Sequence, residues 1–492
     1  MTLTILTDQD VRLLLHSLTK SDILDIQQSL ADALHYYSTA VEEDDNGCSA
    51  SYQPSRTQLT RKDGSTTLFM PANSMDSMGV KIVTLSEVCA KSSDPVGLPN
   101  LDGQLNFSDS DSTISAREGS TTSEPSALSS RMSSLSLGSG STAATSTSSH
   151  TTPFDVPPDL TREMKEAIKM KCAATSPSGS LTLLNRDGTM RGLINAAEIT
   201  AFRTASASTM LFKKRNNVHD VVIFGAGKQA YWHARLALVL RGNEIHHLNF
   251  INRSFENVMS LLHDLYKIPW PVQVPHPKTS IITPAHNEYA RHLKATLRAS
   301  SAIFCTTPSV EPLFPAEILT STEGRKKGRY ISAIGSYKPH MIELHTDIIK
   351  QAVKPHDHHH HHHKHAKSGG AIIVDSVEAC MQEAGEIIQA GISPREIVEL
   401  GELVMLKRDA ERRRKESAGN LDSEGVELQS DSKSRKSGKG GTHDHDGGLK
   451  EWLEKGNVIY KSVGLGLMDI VVGKELCDLA DKLNVGTRIA DF

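Results

Sequence analysis

Ten consecutive residues, Val221 to Ala230, have the types and spacing to cradle a phosphorylated cofactor. The apolar run Val221-Val-Ile-Phe224 enters Gly225-Ala-Gly227-Lys-Gln-Ala230, and a helical pattern carrying Ala234, Leu236 and Ala237 follows. This G-x-G-x-x-A spacing, set between a strand and a helix, is a dinucleotide fingerprint. The first glycine permits a sharp turn, the second omits a Cβ that would block a pyrophosphate, and the alanine lets helix and sheet pack closely. The helix start offers unpaired N–H groups and a positive dipole end to the phosphates. Glycine turns also join strands to helices in proteins that bind nothing; the flanking pattern favours the dinucleotide.

The next apolar strand ends Phe250-Ile-Asn252-Arg253-Ser254. A carboxylate at that strand end suits the ribose hydroxyls of NAD, whereas a 2′-phosphate needs a cation and donors. Arg253 supplies the cation, and Asn252 and Ser254 supply donors, so NADP(H) is favoured over NAD(H). The plainer alternative is an exposed arginine beside a helix start. Three more cations sit among apolar or small neighbours: Arg56 in Pro-Ser-Arg-Thr, Lys81 in Gly-Val-Lys-Ile-Val and Arg203 in Ala-Phe-Arg-Thr-Ala. Cations in such places lose hydration unless paired, either with an internal carboxylate or with that of an amino or imino acid.

These residues need a scaffold, and the pattern after residue 215 provides one. Apolar runs at Val221–Phe224, His247–Ile251, Ala302–Thr306, Tyr330–Ile334 and Ala371–Val374 alternate with helical patterns over Gln229–Arg241, Ser254–Tyr266, Ala285–Ser300 and His340–Ala352. Repeated β-α-β units predict a doubly wound α/β domain with a parallel sheet. Earlier residues read as a helical start, Asp8–Ala40, followed by extended pieces such as Thr66–Met70 and Val80–Leu85.

Of the 492 residues only 38% are hydrophobic and 5% aromatic, so part of the chain belongs to no core. In Leu101–Thr152, 25 of 52 residues are Ser or Thr, too few apolar groups to offset ordering entropy. Segments 91–156 and 409–448 therefore read as disordered insertions, and 355–370, with its six-histidine run, as a loop insertion rather than a metal site. What is left is about two ordinary domains long. A net charge of -4 gives no footprint for nucleic acid. The six scattered cysteines form no C-x-x-C pair and suit reduced thiols. With no signal-peptide pattern and no long apolar run, a soluble cytoplasmic protein is expected, with neither membrane nor nucleic-acid partner.

The chain resembles the ornithine cyclodeaminase/mu-crystallin family. Matches run in family order: Met70-Pro-Ala with Gly79-Val-Lys81-Ile-Val-Thr; Gly192-Leu-Ile with Ile199-Thr-Ala-Phe-Arg203-Thr-Ala; the cofactor loop through Gln229-Ala230; Thr306-Thr307-Pro-Ser; Ala333-Ile-Gly-Ser with Glu343-Leu; Val374-Asp-Ser with Glu383-Ala-Gly; and Lys461-Ser462-Val463-Gly464 with Asp469. The resemblance implies a Rossmann-type NAD(P)-binding domain, 206–408, nested in a discontinuous α+β substrate and dimerisation domain of 1–90, 157–205 and 457–492, with 449–456 as a return segment. It implies a homodimer with its site in the cleft. It places Arg56, Lys81 and Arg203 on a substrate carboxylate, Lys81 near the reacting carbon as the catalytic residue, Gln229 in the cofactor loop, Ser462 and Val463 at the nicotinamide, and Thr307 near the cofactor ribose. Asp469 either orients neighbours or caps a helix.

One departure is informative. Ornithine cyclodeaminases proper carry an aspartate two residues after the first glycine of the Ala333-Ile-Gly335-Ser336 segment, and Tyr337 stands there in this chain. The expected activity is therefore NAD(P)H-dependent hydride transfer at the α-carbon of a small amino or imino acid, as in an imine or ketimine reductase or an amino-acid dehydrogenase. The alternatives are cyclodeamination of ornithine to proline with bound NAD, and a non-catalytic NADP(H)-dependent binding protein.

Overall fold

The computed structural model describes residues 2–40, 47–62, 65–85, 178–270, 274–353, 370–403 and 453–492. The Ser/Thr-rich segment 91–156, the His-rich loop apart from its last residue, the charged segment 409–448 and the first half of the return segment lie outside these residues.

The expected helical start is two helices, α1 (Asp8–Ser17) and α2 (Lys20–Thr39). Thr7 and Thr19 cap them, each in a reciprocal capping box with the aspartate three residues on, so the chain stops and restarts at Leu18-Thr19. A mixed sheet holds β1 (Thr2–Leu6), β2 (Thr57–Thr60), β3 (Thr66–Asn73), β4 (Ser77–Leu85), β5 (Ser178–Asn185), β6 (Met190–Asn195) and a last strand, Thr487–Ala490, beside β1. Its order from that strand is β1-β6-β5-β4-β3-β2, and only β1 and β6 pair in parallel. One face is core, where Leu181, Leu183 and Ile194 share a cluster with the C-terminal helix. Register aligns Phe69 with Ile82, Pro71 with Val80, and Thr182 with both Val80 and Leu193, so the opposite face carries partly covered apolar side chains.

The helix α3 (Ala196–Phe212) leaves this sheet and is buried on almost every side. Its Ala, Ser and Thr residues let neighbours approach closely, and its last residue, Phe212, packs on the rings of Phe304 and Tyr330. The boundary expected at 205/206 thus falls inside a continuous helix.

The second sheet is parallel throughout. It is built from β7 (Asp220–Phe224), α4 (Lys228–Arg241), β8 (His247–Ile251), α5 (Phe255–Lys267), β9 (Lys278–Ile282), α6 (Tyr289–Ala299), β10 (Ala302–Cys305), α7 (Glu317–Thr320), β11 (Tyr330–Ala333), α8 (Thr346–Ala352), β12 (Ala371–Val374), α9 (Val377–Glu383), α10 (Gly385–Ala390), β13 (Ile397–Glu399) and β14 (Val458–Lys461). The order is β13-β12-β14-β11-β10-β7-β8-β9. Strand β14, expected in the substrate domain, is instead central to this sheet, paired with both β11 and β12. The reason is visible in its side chains, since Val458 to Lys461 are all buried, as a strand covered on both faces requires. The chain then continues into α11 (Gly466–Leu483) and β15, the strand Thr487–Ala490. From β7 the chain winds outward to β8 and β9, then crosses to β10 on the other side. That reversal opens a crevice at the carboxyl ends of β7 and β10, where doubly wound sheets bind ligands.

Candidate active site

Gly225 turns the chain out of β7 with φ +111°, and a Cβ there would stand 2.7 Å from Thr306 Oγ1 at the end of β10. The protein itself therefore requires this glycine. Gly227 differs: it is the N-cap of α4 with φ −95°, and a Cβ would meet nothing within 4 Å. It offers α4 no side-chain cap, so open space and unpaired N–H groups coincide, as a pyrophosphate needs. Ala230 is fully buried against the sheet, and the buried Oε1 of Gln229 lacks a hydrogen-bond partner among the described residues. Lys228 turns away to Glu198 (2.8 Å), which also accepts from Trp232 Nε1 (2.7 Å). Burial alone would raise the Glu198 carboxyl; Lys228, Trp232 and Arg12 reverse this and hold it below its ordinary value.

Beyond β8, Asn252 Nδ2 donates to the Ser254 carbonyl (2.8 Å), and Ser254 Oγ caps α5 by accepting from Asn257 N (3.2 Å). These expected phosphate donors are engaged in shaping the turn. Arg253 is exposed on that turn, with no hydrogen bond or ion pair among the described residues.

Lys81 lies on the buried face of β4 and is 2% exposed. Its ammonium donates to Asp469 Oδ1 (3.0 Å) from the first turn of α11, while Arg203 Nε of α3 stands 3.4 Å from Asp469 Oδ2. Asp469 is fully buried and Arg203 nearly so. Burial lowers the Lys81 pKa from 10.5 to about 8; Asp469 opposes the shift, and the Arg203 and Arg56 charges add to it. One carboxylate thus serves two buried cations, leaving the cluster short of one negative charge. Arg56 is not in this inner group: its Nη1 pairs with Glu383 Oε2 of α9 at 2.9 Å.

The cluster meets the cofactor sheet at the loop after β14. Gly464 has φ +89°, and a Cβ on it would lie 2.7 Å from Arg203 Nη2, so backbone and guanidinium are in close contact. Asp375, fully buried after β12, holds this loop by accepting from Ser462 Oγ (2.6 Å), Val463 N (3.3 Å) and Gly464 N (2.7 Å). Glu343 does the same for the loops after β10 and β11, accepting from Thr307 N (2.7 Å), Thr307 Oγ1 (3.2 Å) and Gly335 N (2.7 Å). Burial raises Glu343 to about 7, countered by Lys461 and reinforced by Glu386. Glu386 accepts from Ser336 Oγ and pairs with Lys461 at 3.0 Å.

The structure thus brings Lys81, Arg203, Ser462 and Val463 together and sets Gly225, Gly227, Ala230 and Thr307 on the adjoining crevice. It puts Arg56 on a different partner, and Asn252 and Ser254 on local ones. Sequence reasoning missed Asp375, Glu343, Glu386 and Lys461 as site residues. Lys461 carried a usable signal, a cation ending the apolar run Val458-Ile-Tyr, the same signal that singled out Lys81. Among the described residues no group of His, Cys, Asp and Glu is arranged to hold a metal ion. A small cavity lined by Arg325, Arg329, Gln351 and Asn457 lies at the opposite, amino end of the strands.

No family model matches the chain. It is 28% identical over 313 residues to an uncharacterized protein of Saccharomyces cerevisiae, covering 60% of this chain and 72% of that one. It is 24% identical over 304 residues to the Delta(1)-pyrroline-2-carboxylate reductase of Bacillus cereus (60% and 69% covered). It is also 24% identical over 252 residues to the ketimine reductase mu-crystallin of Macropus fuliginosus (49% and 64%). Among solved structures, Thermococcus litoralis Delta(1)-pyrroline-2-carboxylate reductase in complex with NADH and L-proline aligns with TM-score 0.56 at 16% identity, over 99% of this chain and 100% of that one. An archaeal alanine dehydrogenase dimer with bound NAD aligns at 0.55 and 15%, over 100% of each. The sheet order and its crevice are those of a Rossmann-type dinucleotide-binding fold. In sequence the chain is similar to members of the ornithine cyclodeaminase/mu-crystallin family.

The two loop glycines separate folding from binding. Gly225→Ala is expected to lower stability by about 1–3 kcal/mol through the left-handed backbone and the Thr306 clash. Gly227→Ala should melt like the wild type yet bind dinucleotide about tenfold more weakly. Thermal denaturation and fluorescence titration with NADPH check both; unchanged affinity in Gly227→Ala would place the pyrophosphate elsewhere.

Proposed function

We propose that the chain is an NADP(H)-dependent reductase of small cyclic or open-chain imino acids. It is an enzyme of the imine reductase type, and the solved structures it aligns with carry NAD or NADH. The observation that carries the reading is the buried Lys81–Asp469–Arg203 cluster with its unmatched positive charge. A substrate carboxylate supplies the missing anion, and Arg203 and Lys81 hold it beside the Ser462–Gly464 loop.

When bound, NADPH would supply a hydride from C4 of its nicotinamide for the imine carbon. Gly227, the α4 N-terminus and Thr307 would hold that dinucleotide, and Arg253 its 2′-phosphate. The protein's part is to fix geometry and deliver a proton. Asp375 and Glu343 lock the loops that would line the nicotinamide, and so would hold the reacting carbon at a constant distance. Lys81 holds a proton at Nζ with its pKa lowered to about 8, so it can act as a general acid toward the imine nitrogen. The C=N bond becomes C–N as carbon takes hydride and nitrogen takes the proton. Tyr337, in place of a carboxylate, offers no base for the amines of ornithine, which favours reduction over cyclodeamination.

The partly covered apolar face around Phe69, Val80, Ile82 and Leu193 supports a second copy of the chain as partner. Sedimentation should show a dimer for the wild type and a monomer for Leu193→Lys, with unchanged far-UV circular dichroism; a monomeric wild type overturns the assignment.

A screen of NADPH oxidation against cyclic imines, and against 2-oxo acids with ammonia or methylamine, should find reductase activity. Proline formation from ornithine without net NADPH change would overturn the reading. Lys81→Ala should cut kcat/KM by about 10²–10⁴. Reduction should slow as pH rises through about 8, where Lys81 loses its proton. Asp469→Asn removes the anion that favours the ammonium, so that limb should move to lower pH; an unmoved limb would mean another group donates. Arg253→Ala should raise KM for NADPH about tenfold and leave that for NADH unchanged; equal effects on both would remove the case for the 2′-phosphate.

A further inference from the structure

The loops after β10 and β11 touch at their backbones. A Cβ on Gly335 would collide with the carbonyl and the nitrogen of Thr307, so this approach requires the glycine. One side chain ties the two loops together. Glu343 is fully buried; its Oε1 accepts from Thr307 N (2.7 Å) and Thr307 Oγ1 (3.2 Å), and its Oε2 accepts from Gly335 N (2.7 Å). All three donors belong to loops that border the crevice. The Thr307 hydroxyl spends its proton on Glu343, which leaves the oxygen an acceptor toward anything bound beside it.

The tie depends on the charge of Glu343. An ionised carboxylate accepts at both oxygens, whereas a protonated one keeps one good acceptor and gains an O–H that faces other donors. A proton on Oε1 displaces Thr307, and a proton on Oε2 displaces Gly335. The surrounding groups bring both states within reach of neutral pH. Burial raises the Glu343 pKa from 4.5 to about 7, with Lys461 of β14 lowering it and Glu386 of α10 raising it. Glu386 accepts from the Glu343 backbone N–H (2.8 Å) and pairs with Lys461 (3.0 Å), so Glu343 itself has no ion pair among the described residues. Cys305, at the end of β10, stays a thiol because burial and the two glutamates push its pKa up. Asp375 follows Val374, the partner of Lys461 in the β12–β14 ladder, and its charge acts on Cys380 and Glu383 of α9.

We propose, building on the dinucleotide crevice of the reductase reading above, that Glu343 is a positioning residue for the cofactor: as a carboxylate it ties the loops after β10 and β11 into the binding shape and presents Thr307 Oγ1 as an acceptor for a ribose hydroxyl, and as the neutral acid it lets them part. Cofactor affinity therefore falls as pH drops through the range in which Glu343 takes up its proton. A Glu343 that merely supported the fold would lower the melting temperature on substitution and cost the same affinity at every pH.

Glu343→Gln holds the neutral state at every pH. NADP⁺ is titrated calorimetrically into the full-length wild type and the variant at about pH 6 and pH 8; titration of the 2′-phosphate is common to both proteins and cancels from the ratio of their Kd values. The variant should bind about tenfold more weakly than the wild type at pH 8 but within about twofold of it at pH 6. Glu386→Gln removes a charge that disfavours ionised Glu343, so its loss of affinity on acidification should begin at lower pH than in the wild type. If Glu343→Gln does not fold by far-UV circular dichroism, the Glu386→Gln profile carries the test alone. A Kd ratio equal at both pH values, or an unmoved Glu386→Gln profile, overturns the proposal. The readout is separable from the reductase reading: imine reduction with a constant ratio removes the positioning role alone, a pH-dependent ratio with no imine reduced leaves that role and removes the reaction, and no NADP⁺ binding at either pH overturns both.

Discussion

Everything in this structure depends on keeping an ammonium group out of water. Lys81 sits on the core face of a strand, where an unpaired charge has no hydration and costs several kcal/mol. Asp469 offsets part of that cost but is shared with Arg203, and the sharing makes the site receptive to one more anion. The same arrangement weakens the fold. Between pH 8 and 10.5 the folded state holds fewer protons at Lys81 than the unfolded chain, so stability rises with pH across this window and the contribution is least favourable below about 8. The buried ammonium therefore works against folding at neutral pH, and the surrounding core must supply the difference.

That core is supplied by the nesting of the chain. Helix α3 is buried on nearly all sides, bears Arg203 at its first half and plugs Phe212 into the parallel sheet at its end. One continuous apolar cluster thus runs from the mixed sheet into the parallel one, holding Lys81, Arg203 and the cofactor crevice in fixed relation. Buried carboxylates complete the rigidity. Asp375 and Glu343 gather backbone N–H groups from loops that would otherwise move independently, and the Glu386–Lys461 pair braces the latter.

What could be read from the sequence was local. The glycine loop announces itself because its chemistry requires consecutive residues, and buried cations stand out when apolar neighbours leave them no water. The alternation of runs after residue 215 carried the doubly wound topology for the same reason. Partners were not legible. Asp469 lies 388 residues from Lys81, and Ser462 lies 87 from Asp375, so no spacing links them. Glu343, Glu386 and Asp375 look like any acidic residue until burial is known. The place of β14 was hidden because the residues before it are long insertions and those after it return to the other lobe.

The position of β14 bears on how the protein is made. On a ribosome, β7 to β11 emerge first and then β12 and β13, but the strand that joins the two groups, β14, is the last of the sheet's eight strands to be made. Until then the nascent chain exposes the inner edges of β11 and β12, unpaired templates for pairing with other chains. Lys461, Ser462 and Asp469 come with or after that strand, and β1 waits for β15. A chain that stops before β14 accordingly has open edges at β11, β12 and β1, a Lys81 without its counter-ion and no complete site.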